Sequence, residues 1–201
     1  MLKNNPLVLV FCKNQILGKV KSRLAIKIGQ KKALLIYSEL VNKTASIVNS
    51  LSVEVHLYYS DYIEENDNFN PTKIKKFIQK GYNLGDRIIN ALNISFKKFS
   101  PVVIIGSDLW KLEISDIEDA FIILKNKNIV IGPSTDGGYY LIGMNYLDTK
   151  IFENKNWGQE SVLNDTIRDI DDKTDIHLLD EKTDIDTYDD LCQFPDLKIK
   201  L

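Results

Sequence analysis

Short unbroken apolar runs alternate along this chain with longer stretches in which apolar residues recur at helical spacing. PLVLVFC (6–12) is an apolar run of strand length, and after a basic loop QKKALLIYSELVNKTASIVNSL (30–51) repeats apolar residues with the period of a helix. VEVHLYYS (53–60) alternates as a strand, IEENDNFNPT is a polar loop closed by Pro71, and KIKKFIQKG (73–81) reads as a short strand. From Leu84 to Phe99 the residues Leu84, Ile88, Leu92, Phe96 and Phe99 share one helical face. PVVIIGSD (101–108) is the most strand-like segment of the chain. SDIEDAFIILKN predicts a helix capped by Ser115, acidic in its first turn and basic at its end.

Two further strands follow, at 128–133 and 138–144, then a helical region over Trp157–Asp172, a strand near DIHLLD, and a capped helix after DIDT. Alternating strands and helices predict an α/β sandwich around a mainly parallel sheet. The closely spaced pair around Asp136 predicts that one strand runs the other way. In such sheets ligands bind beyond the carboxyl ends of the strands. No internal repeat or Pro/Gly/Ser-rich linker divides the 201 residues, so a single domain is expected over 1–201.

Composition narrows the function by exclusion. With 44% hydrophobic and 27% charged residues the chain has an ordinary globular balance, and a net charge of -2 provides no field that gathers nucleic acid. Cys12 and Cys192 stand at opposite ends without CxxC spacing, which fits reduced thiols in a cytoplasmic protein. The first apolar run is too short for a membrane span and lacks a cleavage-site pattern, so neither export nor a membrane span is expected. His56 and His177 lie far apart in strand-like runs, whereas zinc and Ser/His chemistry need clustered residues.

Four segments place polar residues just after predicted strands. In GKVKSRLA (18–25), Gly18, Lys19, Lys21 and Arg23 combine a glycine loop, cations and a helix start, a set that suits phosphate. In IIGSD, Asp108 ends a buried strand, where a carboxylate is costly unless it faces a cleft, a partner or a cation; Mg²⁺ or Mn²⁺ takes such oxygens. In GPSTDGGYY, Gly137 and Gly138 allow close approach of a ligand to backbone, and Asp136 can accept hydrogen bonds from hydroxyls. Tyr139 and Tyr140 point to opposite faces, so one belongs to the core and the other can line a pocket. In DIDTYDD, Asp184 and Asp186 share a face if extended, and either can be the second metal carboxylate, with Asp186 favoured. Thr187 reads as a helix cap, with Asp189 and Asp190 in the first turn.

Taken in order, FCKNQILGKVKSRLA, QKGYNLGDRI, IIGSD, GPSTDGGYYLIG and DIDTYDDL resemble a bacterial family of glycosyltransferase-like proteins of GT-A fold, filed as a domain of unknown function. More distantly they resemble small nucleotidyltransferases of molybdopterin and coenzyme biosynthesis. The resemblance spans nearly the whole chain. It implies a three-layer Rossmann-like sheet of the nucleotide-diphospho-sugar transferase type, a nucleotide-binding loop at Gly18–Arg23 and a divalent metal at Asp108. Gln15 and Leu17 replace prolines usual in the family, Ser22 replaces a threonine, and Leu109 and Trp110 stand where a proline normally follows the metal aspartate.

The expected activity is metal-dependent transfer from a nucleotide or nucleotide-sugar donor to an unidentified acceptor. Asp108, with Asp186 or Asp184, holds Mg²⁺ or Mn²⁺; Asp108, Asp136 and Lys21 form the catalytic set, and Lys21 and Arg23 neutralise phosphate charge. Glycosyl transfer is the first reading and nucleotidyl transfer with pyrophosphate release the second. An eroded, nucleotide-binding fold is a third, and a purely structural protein a fourth. Gln159 and Glu160 read first as surface helix residues and second as residues that reach the cleft. Arg87 fits either a phosphate contact or an ion pair with a nearby acid.

Overall fold

A computed structural model describes residues 5–198. Its sheet has seven strands in the order β3-β2-β1-β4-β6-β5-β7, formed by Leu7–Cys12 (β1), Glu54–Tyr59 (β2), Ile74–Ile78 (β3), Val102–Ile105 (β4), Ile129–Pro133 (β5), Tyr139–Met144 (β6) and Ile176–Leu178 (β7). β1 is parallel to β2 and β4, and β2 to β3, while β6 is antiparallel to both its neighbours. β7 pairs in parallel with β5, so β6 is the one reversed strand of a mostly parallel sheet. The expected architecture is therefore present, including the reversal around Asp136.

The central strands β1, β4 and β5 are apolar on both sides because helices cover both faces. Val8 and Val10 of β1, with Val103 and Ile105 of β4, face α2 (Gln30–Ser50), α4 (Ile114–Ile123) and α6 (Tyr188–Cys192). Leu7 and Leu9, with Val102 and Ile104, face the opposite layer of α3 (Leu84–Ser95) and α5 (Val162–Arg168). α2 buries Ala33, Ile36, Tyr37, Leu40, Val41, Thr44, Ala45, Ile47 and Val48, a stripe at three- and four-residue steps that the sequence pattern predicts.

Three helical boundaries differ from the sequence expectation. α3 ends at Ser95 rather than Phe99, and the amide of Phe99 folds back to the Ser95 carbonyl before Pro101. Its first residue, Leu84, is exposed, whereas Ile88 and Leu92 are buried. α4 starts two residues earlier than a Ser115 cap allows. Asp116 reaches back to accept from the Glu113 amide at 2.8 Å, which makes Glu113 the cap and leaves Ser115 inside the helix. The basic residue expected in its last turn, Lys125, lies beyond it. The helical region of 157–172 contracts to α5. Gly158, at φ 82, ends any continuous helix upstream, and Gln159 and Glu160 lie in the turns that precede it.

Candidate functional site: a cleft between cations and carboxylates

The loop after β1 is held from beneath. The buried amide of Asn14 donates to the Tyr62 carbonyl at 2.9 Å and accepts from the Asp61 amide at 2.9 Å, tying the loop to the one after β2. Tyr37 of α2 accepts from the Lys13 amide at 2.9 Å, and its hydroxyl lies 3.0 Å from Ser107 Oγ, joining the ends of β1 and β4. Cys12 sits behind this staple, its Sγ 3.7 Å from the Tyr37 hydroxyl, and burial pushes its thiol up to about 11.

At the far end of the loop Lys21 adopts a left-handed conformation, φ 48 and ψ 47, immediately before α1 (Ser22–Ile28). This turns its buried side chain toward the carboxyl ends of the central strands, where Nζ lies 3.1 Å from Asp108 Oδ2 and 2.7 Å from Asp186 Oδ1. Arg23, half-exposed on the first turn of α1, pairs through Nη2 with Asp186 Oδ2. Burial works against the Lys21 charge, but Asp108 and Asp186 outweigh it and hold the ammonium pKa above its usual value. Burial likewise opposes ionisation of Asp186, yet Lys21 and Arg23 together keep that carboxyl below the ordinary aspartate range.

The run PSTDGG makes the opposite wall. Asp136 Oδ1 accepts from Ser134 Oγ at 2.6 Å and from the Gly138 amide at 2.9 Å, closing the β5–β6 connection upon itself. Gly137 has φ 84, and a Cβ there would stand 2.2 Å from the Glu160 carbonyl oxygen. The close approach at Gly137 is thus to the Glu160 backbone, and its carbonyl accepts from the Leu163 amide at 2.8 Å. These contacts bring residues 156–161 down as a third wall. Gly138 lines the deeper part of the cleft.

Chain segment 182–186 crosses between the two strand ends. The Thr135 amide donates to the Lys182 carbonyl at 3.0 Å, and the Ile185 amide to the Asp108 carbonyl at 3.3 Å. This lays Asp184 and Asp186 beside Asp136. One oxygen from each of Asp136, Asp184 and Asp186 lies within 4.8 Å of the others, a carboxylate trio able to hold a metal ion. Burial, then the charges of Asp136, Asp108 and Asp186, push Asp184 up to about 7.

The predicted residues are brought together unequally. Lys21, Arg23, Asp108, Asp136, Asp184 and Asp186 meet at one place, while Gly18 and Lys19 lie on the exposed turn before it and do not line the cleft. Asp108 reaches the trio through Lys21, and it is Asp136, read from sequence as a hydroxyl acceptor, that completes the set. Leu109 and Trp110, the departure after Asp108, find an alternative anchor: Leu109 is buried and Trp110 Nε1 donates to Asp196 Oδ2 at 2.8 Å. Asp108 still faces Lys21.

Tyr140 is the core member of its pair, and Tyr139 packs half-buried against Trp157. Arg87 contacts Gln79 Oε1 at 3.4 Å and the Gly81 carbonyl at 3.3 Å, and it lines the cavity. His56 packs between Phe77 and Phe99, and neither it nor His177 lines the cleft. Sequence reasoning missed Asn14 and Tyr37. In a single sequence Tyr37 reads as one more member of the α2 stripe.

The cleft over this site has a volume of about 1010 Å³, with Lys13, Lys21 and Arg23 on one side and Asn156, Gln159 and Glu160 on another. An adjoining cavity of about 490 Å³ runs inward between Phe11, Leu84, Ile88 and Trp157. No described helix is long and apolar enough to cross a membrane.

A mixed, mostly parallel sheet with helices on both faces and a charged cleft at its strand ends defines a nucleotide-diphospho-sugar transferase-like Rossmann fold. A protein from Desulfovibrio desulfuricans G20 named as a candidate nucleotide-diphospho-sugar transferase is similar over 94% of this chain and 85% of its own, at 27% identity and a TM-score of 0.84. Within that class the chain belongs to the family described as "Uncharacterized protein conserved in bacteria (DUF2064)", whose pattern matches residues 43–159. CMP:2-keto-3-deoxy-manno-octonic acid synthetase in complex with CTP shares the fold at 10% identity and a TM-score of 0.59, over 98% of this chain and 99% of that one. Rv0371c of Mycobacterium tuberculosis H37Rv in complex with manganese shares it at 9% identity and a TM-score of 0.56, over 96% and 99%. No curated protein matches by sequence.

Proposed function

We propose that this chain is a metal-dependent, nucleotide-utilising transferase and that its donor is a nucleotide sugar. The observation that carries the reading is the meeting of Lys21 and Arg23 with Asp108, Asp136, Asp184 and Asp186 in one cleft. The likeness to a candidate nucleotide-diphospho-sugar transferase supports it, as do a CTP complex and a manganese complex among proteins of this fold. On this reading residues 1–201 are one catalytic domain of the cytoplasm.

The donor set fits a hard divalent cation, since three carboxylate oxygens converge, and burial together with the charges of the neighbouring acids pushes Asp184 up to about 7. Asp136, Asp184 and Asp186 would hold Mg²⁺ or Mn²⁺, with Asp108 beside them. When bound, such an ion supplies positive charge against the phosphate oxygens of the donor. Lys21 and Arg23 donate hydrogen bonds to the phosphates, and they stabilise the negative charge that grows as the sugar–phosphate bond breaks. The wall of Asn156, Gln159, Glu160 and Ser161 contains amides, a carboxylate and a hydroxyl but no cation. It therefore suits the hydroxyls of a sugar better than a second phosphorylated substrate.

A thermal-shift screen of nucleotides and nucleotide sugars, with and without Mn²⁺, tests the reading. A nucleotide sugar that raises the melting temperature only with Mn²⁺, and whose turnover releases a nucleoside diphosphate, supports it. Pyrophosphate release makes the chain a nucleotidyltransferase instead. Tight nucleotide binding that ignores the metal and yields no product would leave only the binding function.

A further inference from the structure

Both oxygens of one carboxylate are already paired in this cleft, and one of them is claimed a second time. Asp186 Oδ1 accepts from Lys21 Nζ at 2.7 Å and its Oδ2 pairs with Arg23, yet the same residue supplies an oxygen to the trio with Asp136 and Asp184. Lys21 is further committed to Asp108 at 3.1 Å, and its side chain is only 4% exposed, so a second carboxylate holds it in place and it has little room to leave. Arg23 is 54% exposed and has room to swing.

From this double claim we infer that Asp186 is an exchange latch that couples cation binding to phosphate binding. A cation that takes Asp186 must displace Arg23 from it and leave Lys21 to Asp108. A phosphate group offers those side chains the anionic oxygens they would lose. Each ligand thus removes the cost of admitting the other, and because the coupling is thermodynamic it acts equally in both directions. The inference rests on the transferase reading only in taking the cleft to receive a cation and a phosphate; it requires no turnover.

The experiment reads binding alone. Mn²⁺ is titrated without phosphate into wild-type protein, Arg23→Gln and Lys27→Gln, the free ion being followed by electron paramagnetic resonance. Lys27 is exposed, lies one turn further along α1, and has the same charge as Arg23. Arg23→Gln is expected to tighten Mn²⁺ binding about fivefold or more, the lower end of typical coupling. Lys27→Gln should stay within about twofold, as a screened surface charge would.

In a reciprocal arm, inorganic pyrophosphate is titrated in EDTA by calorimetry. Asp186→Asn should bind it about fivefold or more tightly than wild type, and the exposed Asp189→Asn should match wild type. Circular dichroism confirms that each variant is folded. Mn²⁺ binding that is equal in wild type and Arg23→Gln, or equally improved by both lysine and arginine variants, overturns the latch and leaves the metal reading standing. Failure of Mn²⁺ to bind any of them removes the metal reading itself and the latch with it. Pyrophosphate binding unchanged in Asp186→Asn also overturns the latch.

Discussion

The two sides of the cleft are built in opposite ways. The cationic side comes from one short continuous segment, in which Lys21 and Arg23 lie two residues apart around the start of α1. The acidic side is assembled from Asp108 after β4, Asp136 in the β5–β6 connection and the Asp184–Asp186 crossing, held by the backbone bonds Thr135–Lys182 and Ile185–Asp108. A local segment keeps its geometry when a neighbour changes. An assembled wall depends on every bond that aligns it, so damage there should cost more.

The largest effect expected is therefore at the residue where the two sides join. Asp186→Asn removes the partner of both cations and one oxygen of the trio, and turnover should fall about a hundredfold or more, roughly 3 kcal/mol in the barrier. Its melting temperature should fall only modestly, since the side chain is 29% exposed and Lys21 keeps Asp108 as a partner. A product assay beside a thermal melt checks both halves. Full turnover in a folded Asp186→Asn protein would refute the shared-residue account.

Next comes the backbone that positions the acidic wall. Gly137→Ala forces a Cβ to within 2.2 Å of the Glu160 carbonyl at a left-handed φ of 84. Strain of this kind plus overpacking should destabilise the protein by roughly 2 to 4 kcal/mol, read as a lower urea midpoint. An unchanged midpoint would show that the 156–161 wall is free to move away. The second glycine in PSTDGG answers to a different neighbour: Gly138 donates its amide to Asp136 Oδ1, and a Cβ there would stand 3.1 Å from that same oxygen.

A smaller, pH-dependent effect separates the sides by charge. Asp184 is raised from 3.8 to about 7 by burial and by its acidic neighbours. Between those values the unfolded chain has lost the proton while the folded chain keeps it. Stability from this group is thus full below about pH 4 and is lost as pH rises through about 7. Asp184→Asn is neutral throughout, so its stability advantage over wild type should grow from pH 5 to pH 8. Urea midpoints in EDTA at the two pH values measure it, and a constant gap would contradict the environment assigned to Asp184.

The same contrast explains what could be read without coordinates. β1, α2 and β4 announce themselves because their apolar patterns answer to burial on one face or two, and Lys21 and Arg23 because glycine, cations and helix start share a few residues. Asp108 and the Asp184–Asp186 pair were legible as strand-end carboxylates. Asp136 as the third member was not, since its approach to Asp184 depends on a backbone bond between Thr135 and Lys182, which no pattern in either segment encodes. Ser115 misled for a related reason. Serine has the better capping propensity, but the Glu113 amide donates to the Asp116 carboxylate, and this sets the helix start earlier.

The smallest prediction tests whether the acidic wall depends on support outside the cleft. Thr187 caps α6 as its sequence suggests: its hydroxyl accepts from the Asp190 amide at 3.3 Å and donates to Asp190 Oδ2 at 2.8 Å. The same Asp190 oxygen accepts from the Asp186 amide at 3.1 Å, so the cap also orients the latch residue. Thr187→Ala should cost about 1 kcal/mol of stability, as lost caps do. If Asp190 alone keeps the Asp186 backbone in place, Mn²⁺ affinity will not change. A loss of Mn²⁺ affinity in Thr187→Ala, restored in Thr187→Ser, would show that the hydroxyl aligns the trio from behind. No counterpart should exist on the cationic side, where Lys21 has no side-chain cap to lose.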